Sequence, residues 1–462
     1  TTNMKRRSPA QQAKAPVRTS KRLFSDNPNV KIEVINGSCQ LRPVIKDFTL
    51  NPSITKEIPQ TPLDKSSKLT HGVKELSKTL TPRSESNGNS LLVTPKTTKQ
   101  SMMQHVDRNE YHDLKVSPNE FRPSATLTTG QCFHWKDISE RSQLSTPQSA
   151  WGVHNAKDWV GILRLSEMES LVISIHEKED TTMYRVLHGS TTLPHEKILR
   201  DYLQLDYAMV PLYATWSRQD PKRLSRIAKC IPGVRLVKQD PWECLVSFIC
   251  SSNNNIPRIT KILTSLRENY GKPLMDFTEM EGTTTTLFSF PSLEELHSKA
   301  TEQDLRSLIG MGYRAKYIMS TMHILKSLGG EQYLHDMRRL TDPFEVQERL
   351  LQFPGVGRKV ADCIALFSLC QTDAVPVDTH VWNVCRRDYD PKGIFRTVKS
   401  ITPTIYRQVG DVFRSQFQPH AGWAHSLLFV AELPSFQPVL DDELRIDIDK
   451  FRKDEKKRRN AK

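Results

Sequence analysis

The sequence predicts an α+β protein, an antiparallel β-sheet domain followed by a mostly α-helical one. Two patterns carry that expectation. Between about residues 114 and 213, short segments alternate polar with apolar residues or run β-branched, as strands with a buried face do. Beyond about residue 214, apolar residues recur at the three- and four-residue spacing of amphipathic helices. A third observation bounds the folded part. Residues 1–107 are rich in Ser, Thr, Pro, Lys and Asn, lack sustained periodicity, and are expected to be disordered.

The elements follow in chain order. Trp159–Leu165, Leu171–Ile175 and Met183–Leu187 read as strands of the sheet domain, which spans 108–240, and residues 136–157 as a long polar loop. The helical domain, 241–433, starts with Trp242–Ile249, apolar on more than one face and therefore central. Pro257 opens a helix through Arg267. Further helical patterns cover 293–309, 314–328, 343–352, 358–369, 379–386, 402–416 and 420–432. Residues 434–462 form a charged tail that ends in the run Lys456-Lys-Arg-Arg459.

Composition narrows the function. The 462 residues carry a formal net charge of +14 with a hydrophobic content of 37%. Such a balance favours a polyanionic partner, without telling DNA from RNA or an acidic membrane surface. No long uncharged apolar run could cross a bilayer. The cysteines at 39, 132, 230, 244, 250, 363, 370 and 385 contain no Cys-x-x-Cys pair, so zinc-finger and iron–sulfur spacings are absent. Lys5-Arg-Arg7, Lys21-Arg22 and the final basic run leave nuclear and mitochondrial addresses both open, beside plain solvated ends.

The most informative segment is Leu350-Leu-Gln-Phe-Pro-Gly-Val-Gly-Arg-Lys-Val-Ala-Asp362, followed by Val375-Pro-Val-Asp-Thr-His380. It reads as a helix, a tight turn, a second helix opening on Arg358 and Lys359, and a third starting at Asp378. Gly355 and Gly357 let the turn present N–H groups suited to one phosphate. At a helix N-terminus, and buried against Val360, Ile364 and Val377, the Lys359 amine is pushed toward its neutral, nucleophilic form. The plainer alternatives are an exposed lysine on a DNA-facing helix and an Asp378 that only caps Thr379–Arg386.

These segments resemble the helix-hairpin-helix DNA glycosylase superfamily. Five others resemble its eukaryotic 8-oxoguanine DNA glycosylase branch: Thr129-Gly-Gln-Cys-Phe-His-Trp135, Gly233–Cys244, Ser247–Ile256, Gly310-Met-Gly-Tyr-Arg-Ala315 and Ala421–Phe429. The resemblance runs in order from about 114 to 433.

It implies a sheet domain like that of the TATA-binding protein. It also implies excision of 8-oxoguanine, and of ring-opened purines, opposite cytosine. Lys359 would attack C1′ and form a Schiff base that permits β-elimination, with Asp378 stabilising charge and assisting proton transfer. Cys363 and Phe429 would sandwich the flipped base. The Gly130 carbonyl would accept from the N7–H that oxidation creates. Asn253, Arg258 and Arg314 would hold the widowed cytosine, Tyr313 would fill the vacated stack, and His380 would contact a phosphate. Carbonyls of Leu351, Phe353 and Val356 could hold a monovalent or calcium ion. His425 stands where the family commonly has glutamine, which leaves its effect on lesion range open.

The resemblance further implies damaged duplex DNA as partner, an abasic endonuclease downstream, a monomer, and no required cofactor. A same-fold glycosylase for alkylated bases and a non-catalytic DNA-binding module are the competing functions.

Overall fold

The computed structural model describes residues 30–35, 38–43, 110–139, 157–278 and 282–460. Val30–Ile35 and Ser38–Pro43 pair as an antiparallel hairpin in a unit of its own. Within the tract expected to be disordered, the alternating Val-Lys-Ile-Glu-Val-Ile is a strand pattern. The rest of the N-terminal tract lies outside the described residues.

Five antiparallel strands form the sheet, in the order His112–Asp113, Thr182–His188, Ser170–Glu177, Lys157–Arg164, Trp135–Asp137. Alternation sorts its two faces. Trp159, Leu163, Leu171, Ile173 and Ile175 face one core together with Leu199 and Tyr202 of helix His195–Tyr202. Val160, Ile162 and Val172 face the other way. They are covered by Leu274, Met275, Phe277 and Leu287 from a second hairpin, Pro273–Thr278 with Thr284–Phe288, which the sequence reading missed. Trp135 lies opposite Gly161 in register, and a Cβ at 161 would stand 2.4 Å from its indole. Glycine there lets the edge strand close; its last two residues, Lys136 and Asp137, fall in the stretch expected to be a loop, of which residues 140–156 lie outside the described ones.

Helices begin earlier than expected, with the short Pro123–Thr126 and then His195–Tyr202, Met209–Gln219 and Leu224–Cys230. Pro241–Cys250 is buried along its whole length and packs against Arg358–Ser368. Asp240 caps it by accepting from the Glu243 amide at 2.8 Å. The charged tail is a helix, Asp442–Asn460, which seats Leu444 and Ile448 in the main core. Glu455 on that helix accepts from both terminal nitrogens of Arg386, at 2.8 and 2.9 Å.

Buried ion pairs join sheet and helices. Arg164 reaches Asp240 at 2.9 Å and Glu331 at 2.8 Å. His134, just before the edge strand, lies 3.1 Å from Glu243, which Arg267 also pairs. These contacts fix the 129–135 loop against the first long helix of the helical body.

Candidate active site

The segment around Lys359 folds as its pattern suggests. Helix Pro343–Leu350 is capped by Asp342, the turn runs through 351–357, and helix Arg358–Ser368 follows. Gly355 has φ +85°, and a Cβ there would stand 2.7 Å from the Tyr317 ring. Both facts demand glycine. Gly357 is in ordinary extended backbone with open space where a Cβ would go. Its residue type is therefore not forced by conformation, a correction to the expectation that both glycines make the turn. What remains at Gly357 is an uncovered helix start.

Lys359, Asp378, Gly130, Cys363, His425 and Phe429 line one cavity of about 70 Å³, with Gln131, Phe248 and Phe367. Six residues spread from 130 to 429 thus converge on one place. The Lys359 Nζ lies 5.6 Å from the Phe248 ring centroid. Burial, the largest influence on this amine, acts to lower its pKa; the neighbouring Cys363 and the Asp378 carboxylate act the other way and hold it above the usual lysine value. This corrects the expected neutral amine. The helix start, the apolar neighbours and Cys363 one turn on were legible in the sequence, but the Asp378 carboxylate is brought up from another element by folding. Attack by Lys359 therefore has to begin with loss of a proton. Burial also pushes the Cys363 thiol up, to about 11.

Asp378 serves as the N-cap of helix Thr379–Asp388, its Oδ1 accepting from the Val381 amide at 2.9 Å. The capping alternative and the cavity position are both realised by the same side chain. Gly130 has φ +77°, and a Cβ would stand 2.8 Å from Ile256 Cδ1. Its loop is pinned by Gln131, whose Nε2 donates to the Arg235 carbonyl at 3.0 Å and whose Oε1 accepts from the Val237 amide at 2.9 Å. His425 is buried, which lowers its pKa to about 4, so its ring is neutral. Its Nδ1 donates to the Gly422 carbonyl at 3.1 Å, leaving Nε2 as an acceptor with no partner among the described residues. Phe429 is half-buried, and His380 packs edge-on against it at 5.7 Å.

The residues expected to meet the opposite strand sit apart from that cavity, on neighbouring turns. Asn253 is exposed at φ +48°, Arg258 is exposed, and Tyr313 is 45% exposed with its hydroxyl donating to the Ser252 carbonyl. Arg314 differs from expectation. It is buried, and its guanidinium donates to the carbonyls of Ser252, Asn253 and Met311. In this structure it shapes the Ser252–Asn253 turn and has no donor displayed for a base; folding has satisfied a buried cation with backbone oxygens. At the hairpin, the Phe353 carbonyl accepts from the Val356 amide at 3.0 Å.

Gln131 and Phe248 also line the cavity; both lie inside segments that carry the family resemblance, yet neither residue type alone signals a role there. Phe367 had no signal beyond its place on the helix of Lys359.

The chain is similar to known proteins along both of its domains. Residues 113–245 match the 8-oxoguanine DNA glycosylase N-terminal domain, and 246–406 match the HhH-GPD superfamily of base excision DNA repair proteins. The N-glycosylase/DNA lyase OGG1 of Arabidopsis thaliana is 35% identical over 338 residues, which cover 72% of this chain and 82% of that protein. This chain belongs to the 8-oxoguanine DNA glycosylase family. Another member, the Saccharomyces cerevisiae N-glycosylase/DNA lyase, is 32% identical over 70% of this chain and 86% of its own length. The family's Clostridium acetobutylicum 8-oxoguanine glycosylase/lyase, solved with duplex DNA bearing cytosine opposite 8-oxoguanine, is 28% identical with a TM-score of 0.51. It covers 70% of this chain and 98% of the solved one.

Proposed function

We propose that this chain is a bifunctional DNA glycosylase and abasic-site lyase that removes 8-oxoguanine, and ring-opened purines, opposite cytosine in duplex DNA. The observation that carries the reading is the meeting of an amine, a carboxylate and two flanking side chains, Cys363 and Phe429, around one cavity. A module that only grips backbone needs the hairpin but no such cavity.

The chemistry follows from those groups. The lesion leaves the stack and enters between Cys363 and Phe429. Lys359 gives up a proton, for which Asp378 is the carboxylate at hand, and attacks C1′; the base departs with the bonding pair and takes up a proton. Opening of the sugar gives a Schiff base to Nζ. Loss of a C2′ proton then expels the 3′ phosphate, cutting the strand. Asp378 passes the Lys359 proton on to the departing base, and the carboxylate so restored stabilises positive charge on the sugar.

The Gly130 carbonyl accepts from N7–H, which only the oxidised base has, and the bare Nε2 of His425 faces the donors of a guanine-type edge. Asn253 and Arg258 hold the cytosine, Tyr313 fills the gap, His380 contacts phosphate, and Gly355 and Gly357 present amides to another phosphate. Arg314 joins them only if its carbonyl partners yield. Carbonyls of Leu351, Phe353 and Val356 are hard oxygen donors that suit a monovalent or calcium ion, which would strengthen the phosphate grip.

An amine and a carboxylate suffice for these steps, so we assign no cofactor. The cut end carries a sugar remnant that an abasic endonuclease must trim. We assign monomeric action, and from the basic runs a nuclear location with a mitochondrial one as the alternative. Incubation with duplex holding 8-oxoguanine opposite cytosine tests the reading. Free base and a cut strand are expected; an intact strand after prolonged incubation would refute it.

A further inference from the structure

One turn past Lys359, on the same helix, a buried carboxylate ties together four segments around the active site. Asp362 accepts from Gln347 Nε2 on helix Pro343–Leu350 at 2.6 Å and from the Tyr406 hydroxyl on helix Pro403–Gln416 at 2.6 Å. The same Tyr406 oxygen accepts from the Val377 amide at 3.2 Å, one residue before Asp378. Gln347 in turn accepts from Arg358, the first residue of the Lys359 helix, at 2.5 Å. All three hub side chains are interior, with Asp362 5%, Gln347 7% and Tyr406 8% exposed.

Resting on the functional reading above, we propose that Asp362 and Tyr406 are positioning residues for the excision reaction. The Asp362–Tyr406–Val377 chain sets the Lys359 helix and the Asp378 loop at their working separation. Neither residue lines the lesion cavity, so neither is a catalytic residue. The physical case is one of geometry. Lys359 and Asp378 lie on separate elements, and helix Arg358–Ser368 carries no side-chain cap at its start. The buried chain is a direct polar link between them, and a buried hydrogen bond defines a distance more sharply than apolar packing does. Misplacement of reacting groups by about 1 Å can cost on the order of 100-fold in rate.

Burial lifts the Asp362 carboxyl to about 6, while the hydroxyl of Tyr406 and the amide of Gln347 act to lower it. The charged groups facing it are Arg358 at its own helix start and Arg407 and Arg414 from helix Pro403–Gln416, which share a small cavity with it. Cys363, beside it on the helix, is a neutral thiol in this range.

The test measures single-turnover excision across pH on duplex with 8-oxoguanine opposite cytosine, with rates normalised to the borohydride-trappable fraction of enzyme. Wild-type enzyme should lose rate as pH falls through about 6. Tyr406→Phe removes one lowering influence, so the excision rate constant should drop at least tenfold and the acid limb should move to higher pH. Affinity for duplex with a tetrahydrofuran abasic analogue should stay within about twofold. Asp362→Asn, which keeps the shape and removes the ionisation, should lose the part of that limb centred near 6 and keep only the dependence that loss of the Lys359 proton imposes. A Tyr406→Phe rate within twofold of wild type overturns the proposal. So does a rate loss with the acid limb unmoved, or an Asp362→Asn pH profile that matches wild type between about 5 and 7. Wild-type enzyme inert on this duplex would instead indict the functional reading itself.

Discussion

Substituting Gly130 with alanine tests how the pocket tells a damaged base from a normal one. The residue holds φ +77°, a conformation that costs a Cβ-bearing residue about 1–2 kcal/mol. The new Cβ would also stand 2.8 Å from Ile256 Cδ1, but that atom ends a side chain 39% exposed, which can swing aside. Most of the strain is therefore in the backbone, and the loop relieves it by rotating the peptide that carries the Gly130 carbonyl. A base N–H left without that acceptor costs about 1–3 kcal/mol. At 1.4 kcal/mol per tenfold, this is roughly a 5- to 150-fold loss. The assay compares single-turnover excision of 8-oxoguanine with that of guanine, each opposite cytosine. The ratio should fall by that factor in Gly130→Ala, while the melting temperature drops by only a few degrees. An unchanged ratio in a variant that melts lower would refute the assignment of this carbonyl.

Three further perturbations follow from the same structure. Asp378→Asn keeps an oxygen to accept from Val381 and so should alter stability by less than about 1 kcal/mol while lowering excision at least 100-fold; near-normal turnover would remove its catalytic role. Glu243 is held at about 2 by Arg267 and His134 against the cost of burial. A depressed carboxylate stabilises the fold above its unfolded value of 4.5 and loses that contribution as pH falls toward 2. Urea unfolding should therefore show on the order of 3 kcal/mol disappearing across that window, and the slope should flatten in Glu243→Gln. Leu444→Ala, in the C-terminal helix and fully buried, should cost about 2–5 kcal/mol in urea unfolding; a change below 0.5 kcal/mol would mean the helix is undocked in solution.

Elements with a strong apolar rhythm were legible in the sequence. The strands around Trp159, Ile173 and Tyr184 and the helix of Val360 and Ile364 bury what their patterns said they would bury. The hairpin at 273–288 was not, because its second strand is Thr-Thr-Thr-Leu-Phe and only the underside of the sheet makes Leu287 an inner residue. The C-terminal helix hid behind its charges. Its docking depends on Glu455 meeting Arg386 and on Arg452 meeting Glu432, partners that no local window contains. At the site, the members of the cavity could be named from motifs, but their electrostatics could not. The state of Lys359 depends on the Asp378 carboxylate brought up from another element, and the bonding of Arg314 on carbonyls of a turn about sixty residues away. The Asp362–Tyr406 link leaves no periodic trace, since a polar pair inside a core breaks the apolar pattern at each of its ends.

Borohydride trapping on the 8-oxoguanine duplex tests the attack by Lys359 directly. Wild-type enzyme should be captured on the cut strand as a stable covalent conjugate, with the linkage mapping to residue 359, and Lys359→Gln should yield none. Base released at the wild-type rate by Lys359→Gln, or a conjugate mapping to a different lysine, would contradict it.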